Sequence, residues 1–311
     1  MKNNDKLPFT TIVIMATTQK PTKETPKEIG GNDEHIRQIR EILDSLKKND
    51  VYDYSIEGFI DDKKAIENIF KLTSGSKRED VLLRLTVIDS MYSTQMNRRY
   101  YALDELAERM VHLHPTEKLF KDFLKTYDVN LFNGDKFNLW GEKYGIGKNG
   151  EEKGVAVSLI SKYAYFETEL QFPIFDSIAC EMFPRIWKYC GWEDKAPKLW
   201  VLNQEQQMEG KETIITFVKA IDELINRLGG NISYDHLDRL LWFTGKIYRG
   251  NLSLVVSRKD YEWCIKNWPE KDKEGNFDVT KNNLSKASFY KSNSRLKAMF
   301  DLAKILKTNK Y

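Results

Sequence analysis

From about residue 33 to about residue 249, apolar side chains recur at helical spacing in one segment after another, which restricts the chain to a mainly helical body. Ile36, Ile39, Ile42, Leu43 and Leu46 predict a first helix starting after Asn32 or Asp33, and Ala65, Ile66, Ile69 and Phe70 predict a second over 61–72. The run from Glu79 to Met91 is apolar on more than one side and predicts a central buried helix continuing toward Tyr100. Its polar members, Arg84, Asp89, Ser90, Ser93, Thr94, Gln95 and Asn97, need partners, either as caps and cross-links of the core or as the lining of a cleft.

Further helices are predicted from Leu103 to Met110, then beyond the His114-Pro115 break with Leu119, Phe120, Phe123 and Leu124, and from Val155 to Phe166. Another runs from Ile174 to Phe183 with Asp176 or Ser177 as its cap, and Pro184 and Gly191 punctuate the next, aromatic-rich segment. Long helices over 212–228 and 234–246 complete the body. Between Tyr127 and Gly154 lie six glycines, which predict a loose loop and the best place for ligand-facing backbone.

Residues 1–32 lack periodicity and read as a flexible N-terminal arm, in which Thr10 to Thr17 could dock as a short strand. Residues 33–249 form the helical body. Residues 250–311 read as a C-terminal extension packed on it, with an extended run from Leu252 to Val256 and turns around Trp263 and Trp268. Such a segment is too poor in consecutive apolar positions for a core of its own.

Composition narrows the function classes. With 41% hydrophobic and 31% charged residues the chain has the apolar area to fold. Three cysteines, Cys180, Cys190 and Cys264, fit neither a disulfide framework nor a paired-cysteine metal site and read as thiols in a reducing compartment. Four scattered histidines give no zinc pattern, and no cofactor or metal is expected. The apolar stretch 12–16 is too short to span a bilayer, so the expectation is a cytoplasmic protein with no membrane partner. The net charge of +3 is small, but residues 281–311 carry eight Lys or Arg against Asp301 alone. That run is either a solvated helix face or a phosphate-facing patch.

Two short segments carry chemistry. Gly145-Ile146-Gly147-Lys148 offers backbone amides beside a lysine, the elements of an anion-binding turn, although the spacing is not that of a P-loop. Pro173-Ile174-Phe175-Asp176 sets a carboxylate just after a proline, and Lys162 opens the segment Lys162-Tyr163-Ala164-Tyr165-Phe166. Together these segments resemble the helix-hairpin-helix DNA glycosylase superfamily. The resemblance implies a glycosylase-like helical fold, a Gly-hydrophobic-Gly turn at Gly145 and Gly147 holding DNA phosphate, and Asp176 as the catalytic aspartate. It also implies a lysine nucleophile, for which Lys148 and Lys162 both offer matches.

A third cluster, Asp235, His236, Asp238 and Arg239 followed by Trp242 and Lys246, places Asp235 and Arg239 as an i,i+4 pair. It is either a structural ion pair with an aromatic packing face, or part of a cleft where Lys246 meets phosphate and Trp242 stacks or wedges. The functional expectation is a DNA-interacting glycosylase-like protein concerned with DNA repair, active or degenerate. The alternative is a non-enzymatic helical protein that binds a protein partner or itself.

Overall fold

A computed structural model describes residues 30–47, 57–92, 94–197, 199, 210–268, 270–281, 284–309 and 311. Nearly all of the segment expected to be a flexible arm, including Thr10 to Thr17, lies outside the described residues, as do Ser93 and Trp200. The described residues form α-helices joined by short 3-10 turns and a few isolated bridges, without a β-strand.

The first helices are α1 (Asp33–Lys47), α2 (Glu57–Leu72), α3 (Arg78–Tyr92), α4 (Ala102–His112) and α5 (Thr116–Thr126). The Asn32 carboxamide accepts the His35 amide at the start of α1, and the Asn32 amide donates to the Cys190 carbonyl at 2.7 Å. A cis His114-Pro115 bond separates α4 from α5. Helix α3 ends at Tyr92 rather than continuing toward Tyr100, because the buried Asp89 carboxylate accepts the amides of Met96 and Asn97 at 2.8 and 3.0 Å and folds the chain back. Arg84 is buried too, bonded to Thr73, the Phe70 carbonyl and, at 2.7 Å, Glu167. Both polar residues therefore bind the core together instead of lining a cleft.

The remaining helices are α6 (Val157–Glu167), α7 (Ser177–Tyr189), α8 (Gly210–Arg227), α9 (Tyr234–Tyr248), α10 (Arg258–Asn267), α11 (Ser288–Ser292) and α12 (Ser294–Thr308). Three local expectations are corrected. Pro184 lies inside α7 and does not end it. Leu252 to Leu254 is a 3-10 turn rather than extended chain, and Trp263 sits on α10 rather than in a turn.

Helix α6 is buried from Leu159 through Phe166, on every side, and so is the central element. Helices α2, α3, α5 and α8 pack on it, whereas α9 is the hub for α1, α7 and α12. One buried network fastens these groups. The Lys63 ammonium on α2 meets the Asp235 carboxylate on α9 at 2.5 Å, and the Tyr165 hydroxyl on α6 donates to the same oxygen at 2.5 Å. Arg239 completes it at 2.7 Å from the second oxygen of Asp235, the i,i+4 pair expected from spacing.

The glycine-rich segment is better fastened than its composition suggests. Trp140 and Tyr144 are fully buried, and Trp140 packs among Phe120, Phe123, Phe132 and Phe172, with ring centroids 5.6–6.3 Å away. Its aromatics anchor the loop on α5 while its glycines make the turns.

Candidate functional site

Helix α7 begins where Pro173 and the buried Phe175 bring the chain in extended form to Asp176. Asp176 caps the helix: its Oδ1 accepts the amides of Ile178 and Ala179 at 2.9 and 2.7 Å. The Phe175 amide donates to Ser161 on α6 at 3.0 Å, which ties this helix start to the turn of α6 that carries Lys162.

Lys162 is 2% exposed, an unusual burial for an ammonium. Its Nζ donates to Ser158 Oγ at 2.7 Å and lies 5.7 Å from the centre of the Tyr92 ring, but it forms no ion pair among the described residues. Burial pushes the amine below the ordinary lysine value, while Asp176, Asp238 and Cys180 act in the opposite sense. Cys180, one turn into α7, is pushed up to about 12 by burial and by Asp176.

Helix α9 supplies the opposite wall. Gly245 is pressed against α7: a Cβ there would come within 2.3 Å of Ile178 and 2.9 Å of Met182. This contact sets Asp238, Trp242 and Lys246, all half-buried, along the edge facing the start of α7. Burial pushes the Asp238 carboxyl up to about 8, with Asp176 adding to the shift and Lys63 and Lys162 opposing it. Burial, then the Arg249 guanidinium, holds Lys246 below its ordinary value, and its ammonium stands 5.3 Å from the centre of the Trp242 ring. Lys162, Asp176, Asp238 and Lys246 thus form one electrostatically coupled group, in which Lys162 is the most deeply buried member.

The glycine turn is built differently. It is not the bend of a helical hairpin, since no α-helix lies between α5 and α6. Gly145 has φ of 72°, which glycine adopts freely, and its amide donates to Glu105 Oε2 at 2.9 Å. Ile146 pairs with Tyr100, and the Gly147 amide donates to the Glu151 carbonyl at 2.9 Å. The amides expected to cradle phosphate are therefore already engaged within the protein. A cavity of about 370 Å³ beside the turn is lined by Glu105, Glu142 and Glu152 as well as by Arg109 and Lys143, a balance that disfavours an anion. Lys148 is exposed at the tip. Among the described residues no hydrogen bond or ion pair joins this turn to the Lys162 group; Arg99, donating to the Gly154 carbonyl at 2.6 Å, ties it instead to the segment before α4.

Of the residues singled out from sequence, the structure thus gathers Lys162, Asp176, Trp242 and Lys246, and leaves Gly145, Gly147 and Lys148 at a separate turn. Between the two candidate lysines, Lys162 is the one whose charge Asp176 acts on. Asp238, Ser158, Tyr92 and Cys180 join the group without having been singled out as site residues. For Asp238 the signal was present, four residues before Trp242 on the same helical face. Among the described residues no cluster of His, Cys, Asp or Glu could hold a metal ion, and no helix is long and apolar enough to cross a membrane.

What fold and site define together is a mainly helical protein with a buried lysine set among carboxyl groups at a helix start. No protein-family model, curated protein or solved structure matches the chain.

Proposed function

We propose that this chain is a nucleic-acid-interacting protein related to the helix-hairpin-helix DNA glycosylases, acting on a base or abasic sugar taken out of the duplex. The observation that carries the reading is the burial of Lys162 within the electrostatic reach of Asp176. A desolvated lysine whose ammonium is disfavoured is the form an amine nucleophile needs, and a carboxylate whose charge acts on it suits positive charge developing at a sugar carbon. Lys246 would meet a phosphate and Trp242 would stack on, or wedge beside, a displaced base. The separate glycine turn takes no part in this chemistry, and Lys148 contributes at most an outlying phosphate contact.

The test is incubation with a panel of lesion-containing and abasic duplexes, with and without borohydride. We expect base release or a trapped covalent adduct in the native chain, and loss of the adduct in Lys162→Met, which replaces a buried stem by one of similar shape. Folded protein that yields neither product sinks the catalytic reading.

A second reading, a non-enzymatic helical protein that binds a protein partner or itself, is favoured by one observation: Asp176 Oδ1 already serves as the cap of α7 without any substrate. Absence of DNA binding at low salt, together with concentration-dependent self-association, would select it.

A further inference from the structure

The basic run over residues 281–311 is divided by the fold. On α12, Lys297 turns to Asp301 at 2.7 Å and to the Tyr290 ring of α11. Lys307 instead reaches α9, donating to the Tyr248 carbonyl at 3.0 Å with its ammonium 5.6 Å from the centre of the Tyr248 ring. The Arg185 guanidinium of α7 lies against the same ring, 4.7 Å from its centre. Cations from two distant parts of the chain thus meet on one tyrosine.

From that point the basic groups extend as a row. Ser177, Glu181, Arg185 and Lys188 recur at helical spacing on one face of α7. At the start of the row Arg249, which closes α9, donates to the Ser177 carbonyl at 3.3 Å and to Glu181 Oε2 at 2.6 Å. Arg185 follows, donating to the Glu181 carbonyl at 2.6 Å. At the far end the exposed Lys188 stands 5.7 Å from the centre of the Tyr311 ring, which meets Tyr189 edge-on. Among the described residues, Arg185, Lys188, Arg249 and Lys307 have a single carboxylate in contact, Glu181, which Arg249 and Arg185 share. Asp278 acts on Lys307 from further off and is itself paired with Lys281 at 3.8 Å. Positive charge is therefore left in excess along this face.

Three features select the partner. The row is straight and runs about 16 Å from Ser177 to Lys188, a length over which one strand of a duplex presents about five phosphates. Rings and carbonyls already hold the Arg185, Arg249 and Lys307 side chains, so little rotamer freedom is lost when an anion arrives. The row also begins at the helix start that Asp176 caps, where the Arg249 charge acts on Lys246. We propose that the face built from α7, the end of α9 and the end of α12 binds the phosphate backbone of duplex DNA, one strand lying along Arg249, Arg185 and Lys188 with Lys307 at its flank.

This inference rests on the nucleic-acid reading for its partner and adds a surface and a direction to it: the strand leaves the Lys162 group along α7. Lys246 and Trp242 hold it at the site, and the row holds its continuation. The contacts go to phosphates, so the row contributes affinity that is independent of base sequence and sensitive to salt.

The test uses the full chain and a short labelled undamaged duplex, with binding followed by fluorescence anisotropy at several salt concentrations. Lys188→Ala combined with Lys307→Ala should bind about tenfold more weakly at moderate salt, and its plot of log affinity against log salt should be shallower by about 2. Lys188→Ala alone changes an exposed side chain, leaves the fold intact by circular dichroism, and should take about half of that slope change. Lys297→Ala, from the same basic run but turned toward Asp301, should bind as the native chain does. Native binding with an unchanged affinity and slope in Lys188→Ala and in the double variant overturns this surface and leaves the nucleic-acid reading standing. No binding of the duplex by the native chain at low salt overturns both. Equal affinity for polyglutamate or for phosphatidylserine vesicles overturns the assignment to nucleic-acid phosphates. Salt-sensitive binding through the row without any trapped adduct on abasic duplexes upholds the surface while the catalytic reading fails.

Discussion

Asp176 and Asp238 are both aspartates on one cluster, and their surroundings separate them. Asp176 accepts two backbone amides at the start of α7, so replacing it by alanine removes both a cap and a charge. Capping alone is worth about 1 kcal/mol. We expect Asp176→Ser, which can still cap, to denature within about 0.5 kcal/mol of the native chain in urea, yet to lose adduct formation. A large stability loss in Asp176→Ser would show that its role is packing. Asp238 behaves oppositely with pH. Its carboxyl is raised by burial from 3.8 to about 8, so the folded state holds a proton that the unfolded chain releases. The resulting stability is complete below the unfolded value and declines as pH rises through about 8. Asp238→Asn should therefore gain stability relative to the native chain above that pH, as read by chemical denaturation at two pH values; a difference independent of pH contradicts the assignment. In the buried network, Lys63→Met leaves Asp235 with Arg239 and the Tyr165 hydroxyl but without its nearest ammonium. Removing one partner of such a pair costs about 3–5 kcal/mol, which a shift of the urea midpoint would register.

Helix existence was largely legible in the sequence, because a buried stripe at helical spacing survives almost any tertiary arrangement. Helices α1 and α9 track their apolar stripes closely, and the cap of α7 was visible as one of two candidates after Pro173, Asp176 or Ser177. What was not legible depended on long-range partners. The end of α3 is set by Asp89 reaching forward to Met96 and Asn97, and the glycine-rich loop is anchored by Trp140 and Tyr144 against helices on either side of it in the chain. Nor could spacing reveal that Glu105 on α4 would take the Gly145 amide, an occupant forty residues away. Pro184 has the look of punctuation in the sequence, although it falls within α7, whose continuation buries Ile186, Trp187 and Tyr189. The seam between α7 and α9 makes a direct prediction. Gly245→Ala places a methyl 2.3 Å from Ile178 Cγ2. Overpacking of this kind costs about 1–3 kcal/mol, against a helix-propensity gain of up to about 1 kcal/mol. We expect a lower melting temperature and, because the seam holds Asp238 and Lys246 against the start of α7, weaker DNA binding as well. An unchanged melting temperature would mean that α9 can slide relative to α7.

At the scale of the whole molecule, DNA affinity should fall steeply with salt, as phosphate contacts release counterions. Lys246→Ala, over the Trp242 ring and within the field of Asp176, should weaken binding more than Lys148→Ala, which alters an exposed turn whose amides are already engaged. Titrations of each variant at several salt concentrations would check this; a larger loss from Lys148→Ala would move the nucleic-acid surface to the glycine turn. The knot of Lys63, Tyr165 and Asp235 has a further consequence for how the chain assembles. Lys63 and Asp235 are 172 positions apart, and Tyr165 lies between them. Closing so wide an interval must await the formation of nearly everything in between, so the knot is made late on the way to the native state and given up early on the way out. Weakening it should hasten unfolding while leaving the refolding rate almost untouched, which makes these few atoms a latch on the lifetime of the finished molecule.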